Sequence, residues 1–363
     1  MIGLGEQVLH NFNAGPSVLP KQVFEEASRA IINFNDSGLS ILEIGHRTNL
    51  FQPVMQEARQ LVKELMQLDD DHEVLFLHGG ATTQFMQVPM NLLNENDIAA
   101  YTETGSWANK AIKEAKLFGH VEIAASSKED NYTTIPTKLQ VIPTAAYLHI
   151  TSNETIAGTQ WQELPYDCGV PLVADMSSDI LSRQLSFNKF DLIYAGAQKN
   201  MGAAGVNLVV VNKNILGKAT RAIPTILDYR NHIKEESMLN TPPVFAVYVA
   251  LLTLRWIKNE GGVAVMEKRN DAKAKLFYDT LDALPVFKGP VAKKDRSKMN
   301  AVFLIGDGRL EKEFLDACRE AGMIGIKGHR SVGGFRVSMY NALTIKSVQV
   351  LTDLMKTFAN KKG

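Results

Sequence analysis

The sequence predicts an α/β protein: a large domain on a mainly parallel, doubly wound sheet, followed by a smaller α+β domain. Three observations predict it. Strand-length apolar runs (EVLFLH, AYLHI, PLVAD, DLIYAG, VNLVVV) alternate with amphipathic helical stretches, as a layered α/β fold requires. Residues with chemical potential collect where the runs stop, and in such sheets ligands sit beyond the carboxyl ends of the strands. Finally, Glu260-Gly261-Gly262 interrupts a strongly apolar helical stretch. That break divides the chain into a large domain, 18–260, and a small one, 261–363, with segment 1–17 joined to them. A chain of 363 residues suits such a division.

Composition excludes several classes of function. Lys plus Arg (39) equals Asp plus Glu (39), so there is no basic surplus for neutralising nucleic-acid phosphates. The basic segment 288–298 reads as a solvated loop ahead of the strand MNAVFLI. Two cysteines, Cys168 and Cys318, give neither a disulfide framework nor metal-ligand spacing, and fit a reduced compartment. No apolar run approaches the roughly 18 residues of a membrane span. Glu6 stands where the apolar core of a leader would run, so a cytoplasmic location is expected.

In chain order, NFNAGPS is turn-rich and leads to a helix opened by Pro20, with Val23, Phe24, Ala27, Ala30 and Ile31 as its core face. Ile41, Leu42 and Ile44 deliver Gly45-His46-Arg47 into a loop. A second helix begins near Pro53 and presents Val54, Ala58, Leu61, Val62 and Leu65. EVLFLHGGATTQF then reads as strand, double glycine, helix. Free N–H groups and the helix dipole make such a junction a ready anion site, though a Gly-Gly turn is often only a tight turn. It matches neither a dinucleotide fingerprint nor a phosphate-binding Walker loop. DIAAYTETGSW gives a strand and a loop reaching Trp107, which fits either a core position or a ring lying flat over a planar cofactor. AYLHI leads to Thr151–Thr155, and Thr155 is ambiguous in the same way.

PLVAD ends in Asp175, and DLIYAGAQK places Lys199 just past a strand, on a loop of small residues. A buried lysine must give up a hydrated charge or find a partner. Once neutral it is a nucleophile that condenses with aldehydes. An Asp and a Lys at two strand ends of one sheet match what pyridoxal phosphate needs: an amine for its aldehyde, a carboxylate for its pyridine nitrogen. Strand-end lysines are also commonly just solvated, so the pair needs support from elsewhere. After VNLVVV, Asn240-Thr241-Pro242-Pro243 caps an apolar helix running to about Lys258. A long charged helix reaches about Leu284, then come the strand Ala301–Ile305, a helix over 310–321 and a last helix from Thr344. Between these lies KGHRSVGGFR. Its His329, Arg330 and Arg336, with His46 and Arg47 upstream, suit a substrate bearing two anionic groups, since arginine forks grip carboxylate or phosphate at two points.

NFNAGPS, GHR, HGGATTQF, GSW, TSNETIAGT, ADMSSDILSR, YAGAQKNMGAAGV, NTPP and KGHRSVGGFR together resemble, in order and spacing, the phosphoserine aminotransferase family. These are class V aminotransferases within the fold type I pyridoxal-phosphate group. The likeness runs from about Asn11 to the C-terminus. It implies one pyridoxal 5′-phosphate per subunit and a homodimer with active sites shared across the interface. The amino group would pass between glutamate and 3-phosphohydroxypyruvate in serine biosynthesis, with a second role in pyridoxine synthesis. By the same likeness Lys199 would bond the cofactor, Asp175 pair with its ring nitrogen, Trp107 stack on the ring and Thr155 meet its phenolic oxygen. Ala81, Thr82 and Gln198 would hold the phosphate, with Asn240 and Thr241 of the other subunit. Arg336 would take the α-carboxylate, while His46, Arg47 (from the partner subunit), His329 and Arg330 take the distal phosphate or side-chain carboxylate. Several relatives carry Gly-Arg where this chain has Ala81-Thr82; the helix dipole, hydroxyls and partner residues are then left to hold the phosphate. No metal is implied. Neither Cys168, ahead of a strand, nor Cys318, within a helix, suits a desulfurase loop. An alanine–glyoxylate type aminotransferase would prefer small uncharged donors, and a non-catalytic nucleotide-binding module would be colourless.

Overall fold

A computed structural model describes residues 8–362. Glu6, read above against a leader, lies outside the described residues. The elements in order are β1 (His10–Asn11), α1 (Lys21–Ile32), α2 (Gln52–Met66), β2 (His72–His78), α3 (Ala81–Leu92), β3 (Ile98–Glu103), α4 (Ser106–Ala115) and β4 (His120–Ser126). Next come β5 (Leu148–Thr151), β6 (Leu172–Asp175), β7 (Leu192–Gly196), β8 (Val206–Asn212), α5 (Tyr229–Lys234) and α6 (Val244–Asn259). The C-terminal part holds α7 (Val263–Ala283), β9 (Phe287–Lys288), β10 (Asn300–Ile305), α8 (Gly308–Glu320), β11 (Met323–Ile324), β12 (Phe335–Ser338) and α9 (Ile345–Lys362).

Seven strands form the main sheet in the order β2-β8-β7-β6-β5-β3-β4. β8 alone runs against its neighbours, so the carboxyl ends of the other six share one edge. Alternation along each strand explains the two covered faces. Val74, Phe76, Ile150, Ala174, Ile193 and Val210 pack under α1, α2 and α6. Their chain neighbours Leu75, Tyr147, Val173, Tyr194 and Val209 pack under α3 and α4. Each large side chain so buried contributes about 1.5–3 kcal/mol. Strands buried on both faces read as unbroken apolar runs, which is why β5 to β8 stand out in the sequence. The register sets Thr151 beside Asp175, and Asp175 beside Tyr194.

The second sheet, β12-β10-β9, is antiparallel and shares its own core with α7, α8 and α9. β1 leaves the N-terminal region to pair in parallel with β11, His10 beside Met323 and Asn11 beside Ile324.

Some expectations need correction. Phe24 and Ile31 are 54% and 40% exposed, because α1 seats on Val23, Ala27 and Ala30 and these two lie farther round the helix. The 288–298 segment is not simply solvated: Asp295 and Ser297 are buried, and Asp295 accepts the Ile135 amide at 3.0 Å. Trp107 sits in the first turn of α4 instead of a strand-end loop. No side chain caps α6, whose N-cap is Pro243. Several elements escaped the reading: β4, an edge strand with one buried residue, the six-residue α5, and the short strands β1, β9, β11 and β12.

Candidate active site

The shared strand edge gathers the predicted cofactor residues. Ala81, Thr82, Trp107, Thr155, Asp175, Gln198 and Lys199 line one cavity. β6 delivers Asp175 at its last residue, and β7 ends three residues before Lys199. The loop after β7 is crowded: the N-terminal segment crosses it, with the Ser17 amide donating to the Gln198 carbonyl. Gly15, at φ +140°, is required at that crossing, since a Cβ there would stand 3.0 Å from Lys199 Cγ.

Lys199 is 9% exposed and its Nζ donates to Thr155 Oγ1 at 2.7 Å. The Trp107 ring lies with its centroid 5.3 Å from that nitrogen. Burial holds the amine down to about 8, with the carboxylates of Asp175 and Glu154 pulling the other way. Asp175, 5% exposed, accepts the Ser177 amide at 2.9 Å. Burial pushes its carboxyl up against the pull of Ser177 and Lys199. Glu154 is fully buried and accepts the Ala108 amide at 3.0 Å and the Trp107 amide at 3.3 Å. Burial raises its carboxyl to about 7.

Arg336 comes from β12 in the second sheet and donates to the carbonyl of Thr155, a cavity-lining residue, at 3.4 Å. Burial lowers its pKa. Partial burial lowers the His329 pKa, and the nearby charges of Arg336, Arg330 and Lys110 lower it further. The remaining predicted residues stand outside the cavity of their own chain. Arg47 donates to the Met238 and Leu239 carbonyls at 3.4 and 3.3 Å, and Asn240 meets His78 Nδ1 at 3.3 Å, where β2 ends. His46 and Thr241 do not line it either.

Sequence reasoning quoted TSNET and DMSSD but gave no role to Glu154 or Ser177. It also passed over Lys110, whose Nζ stands 4.2 Å from the Trp107 ring centroid. A charge one residue before a predicted contact, and a cation one helical turn past a predicted aromatic, were the available signals.

These residues fit pyridoxal phosphate. Thr151 Oγ1, Trp107 Nε1 and Arg336 Nε are buried without a hydrogen-bond partner among the described residues, which a polar occupant would supply. α3 begins at the cavity with Gly80 as N-cap and no capping side chain, so its first amides face an anion site. The amine and the carboxylate sit at separate points of the same wall.

Comparison with known proteins agrees. The family described as Aminotransferase class-V matches residues 9–351. The phosphoserine aminotransferase of Flavobacterium johnsoniae is 58% identical over 353 residues, covering 97% of this chain and 99% of the relative. Among solved structures, the phosphoserine aminotransferase of Bacillus circulans subsp. alkalophilus superposes with a TM-score of 0.95 at 44% identity, covering 98% of this chain and 99% of that one. The PLP-bound phosphoserine aminotransferase of Trichomonas vaginalis gives 0.91 at 34% identity, covering 96% and 100%.

Proposed function

The chain belongs to the class V aminotransferases, and we propose that it carries out the phosphoserine aminotransferase reaction with the site residues assigned below. It is a pyridoxal-phosphate-dependent enzyme that passes an amino group between glutamate and 3-phosphohydroxypyruvate, giving O-phospho-L-serine and 2-oxoglutarate. The observation that carries this reading is the buried Lys199 amine in one cavity with Asp175, faced by Arg336 from the second sheet.

Bound there, pyridoxal phosphate supplies an aldehyde that takes up the amino group and an electron-poor ring that stabilises charge on the substrate's α-carbon. Every other task falls to the chain. Lys199 Nζ, neutral in part near pH 8, holds the cofactor and then carries the proton on and off the α-carbon. Thr155 Oγ1 orients that nitrogen, and Asp175 presents a carboxylate to the ring nitrogen. Trp107, which lines the same cavity, would cover the cofactor ring. Thr82, Gln198 and the first amides of α3 hold the phosphate. Arg336 takes the α-carboxylate, and the His329-Arg330 loop takes the distal anion, whether γ-carboxylate or phosphate.

The homodimer follows as part of the proposal. His46, Arg47, Asn240 and Thr241 suit the family pattern only if they complete a partner's site, and they stand outside their own cavity. Phe24, Ile31 and Ile32 form an exposed apolar stripe on α1 that a second copy would cover. We likewise infer two units, 18–260 and 261–363, with the substrate held where Arg336 reaches toward Thr155. A cytoplasmic location and a second role in pyridoxine synthesis belong to the same reading.

An amino-donor panel tests it. Phosphoserine and glutamate should be used well and alanine poorly; preference for alanine would favour an alanine–glyoxylate type activity instead.

A further inference from the structure

We propose that Glu154 is a positioning residue for the Trp107 indole, acting as a cap supplied to α4 from a distant loop. The proposal rests on the reading above only in taking the cavity to hold a pyridine ring.

α4 begins at Gly105 and has no cap of its own, since its N-cap residue has no side chain. The amides left open at a helix start are normally met by a side chain at that position. Here the two are met by one carboxylate from the loop after β5: Glu154 Oε2 accepts from Trp107 N at 3.3 Å and Oε1 from Ala108 N at 3.0 Å. Gly105 makes this approach possible. A Cβ there would fall 2.4 Å from Glu154 Cδ, although the backbone at Gly105 is extended and open to any residue. The next residue after Glu154 is Thr155, which receives the Lys199 amine. Glu154 is itself fixed, its amide donating to the Thr159 carbonyl and its carbonyl accepting from the Gly158 amide, each at 2.8 Å. One short loop therefore sets both the nitrogen that bonds the cofactor and the helix that brings the indole over it. Glu154 is fully buried, and among the described residues these two amides are the hydrogen-bond donors its carboxylate meets.

The test compares holoenzymes of the wild type, Glu154→Gln, Gly105→Ala and Trp107→Phe. The expected results for the first two variants are at least tenfold faster hydrogen exchange over residues 105–110 and loss of half or more of the visible-band ellipticity. Trp107→Phe sets the reference for that optical loss. If Glu154 only stabilised the fold, both variants would melt earlier while exchange over 105–110 and ellipticity stayed as in the wild type; that result overturns the proposal. Should Glu154→Gln fail to fold, Gly105→Ala displaces the same carboxylate sterically and decides alone. A wild-type protein with no visible band removable by borohydride would count against the cofactor reading, while the exchange measurement on that protein would still decide the role of Glu154.

Discussion

Lys199 Nζ donates to Thr155 Oγ1 at 2.7 Å, and this hydroxyl, not the Asp175 carboxylate, is the direct partner of the buried amine. The amine is thus aimed without being locked into an ion pair. Thr155→Val removes the acceptor and leaves a buried donor unmet, a cost of about 1–3 kcal/mol. Turnover should fall roughly ten- to a hundredfold with the fold intact, read by steady-state kinetics beside far-ultraviolet circular dichroism. Unchanged turnover would show that Thr155 does not orient the amine.

On the proposed roles, Lys199→Ala removes both the bond to the cofactor and the proton carrier. Transamination should drop by about 10²–10⁴-fold or more, with the oligomer retained on size-exclusion chromatography. Retained turnover would refute the assignment.

The Lys199 amine is held down to about 8, and only its neutral form attacks an aldehyde. The rate at which apoprotein takes up pyridoxal phosphate should therefore rise with pH through about 8 and level off above it, in stopped-flow absorbance. A rate falling over that range would contradict the assignment.

Lys273 is a second buried lysine, donating to the Met339 and Tyr340 carbonyls at 2.9 and 2.7 Å, and burial lowers it to about 7. Its folded pKa lies below its unfolded one, so between about 7 and 10.4 the unfolded chain binds the extra proton. Stability from this group must then increase as pH rises across that window, by at most ~1.4 kcal/mol per pH unit. Lys273→Met should flatten the rise in apoprotein stability from pH 7 to 9, measured by urea titration. An unaltered slope would place the titration elsewhere.

Arg336→Ala should raise KM for every amino-acid substrate, by roughly tenfold or more, since a charge-assisted contact is worth ~1.5–3 kcal/mol. Arg330→Ala should chiefly weaken donors with a second anion. Equal losses for phosphoserine and alanine in the second variant would contradict the division of labour.

What the sequence disclosed follows from burial. β5 to β8 are covered on both faces, so their apolar runs are continuous and their ends, with Asp175 and Lys199, were legible. β4 lies at an edge with most side chains exposed, and left no such run. Phe24 and Ile31 misled for a related reason: an apolar residue on a helix does not say which body covers it. Glu154 was hidden because its two partners lie 46 and 47 residues away, and such pairings carry no periodic signal.

The pairing of β1 with β11 has a consequence for synthesis. His10 leaves the ribosome long before its strand partner Met323. This strand must therefore wait, unpaired, until the residues as far as Met323 are translated. Gly15 and Ser17, which close over the lysine loop, lie a few residues past that strand, so the segment over the pocket is tied on its other side to a strand of the C-terminal part.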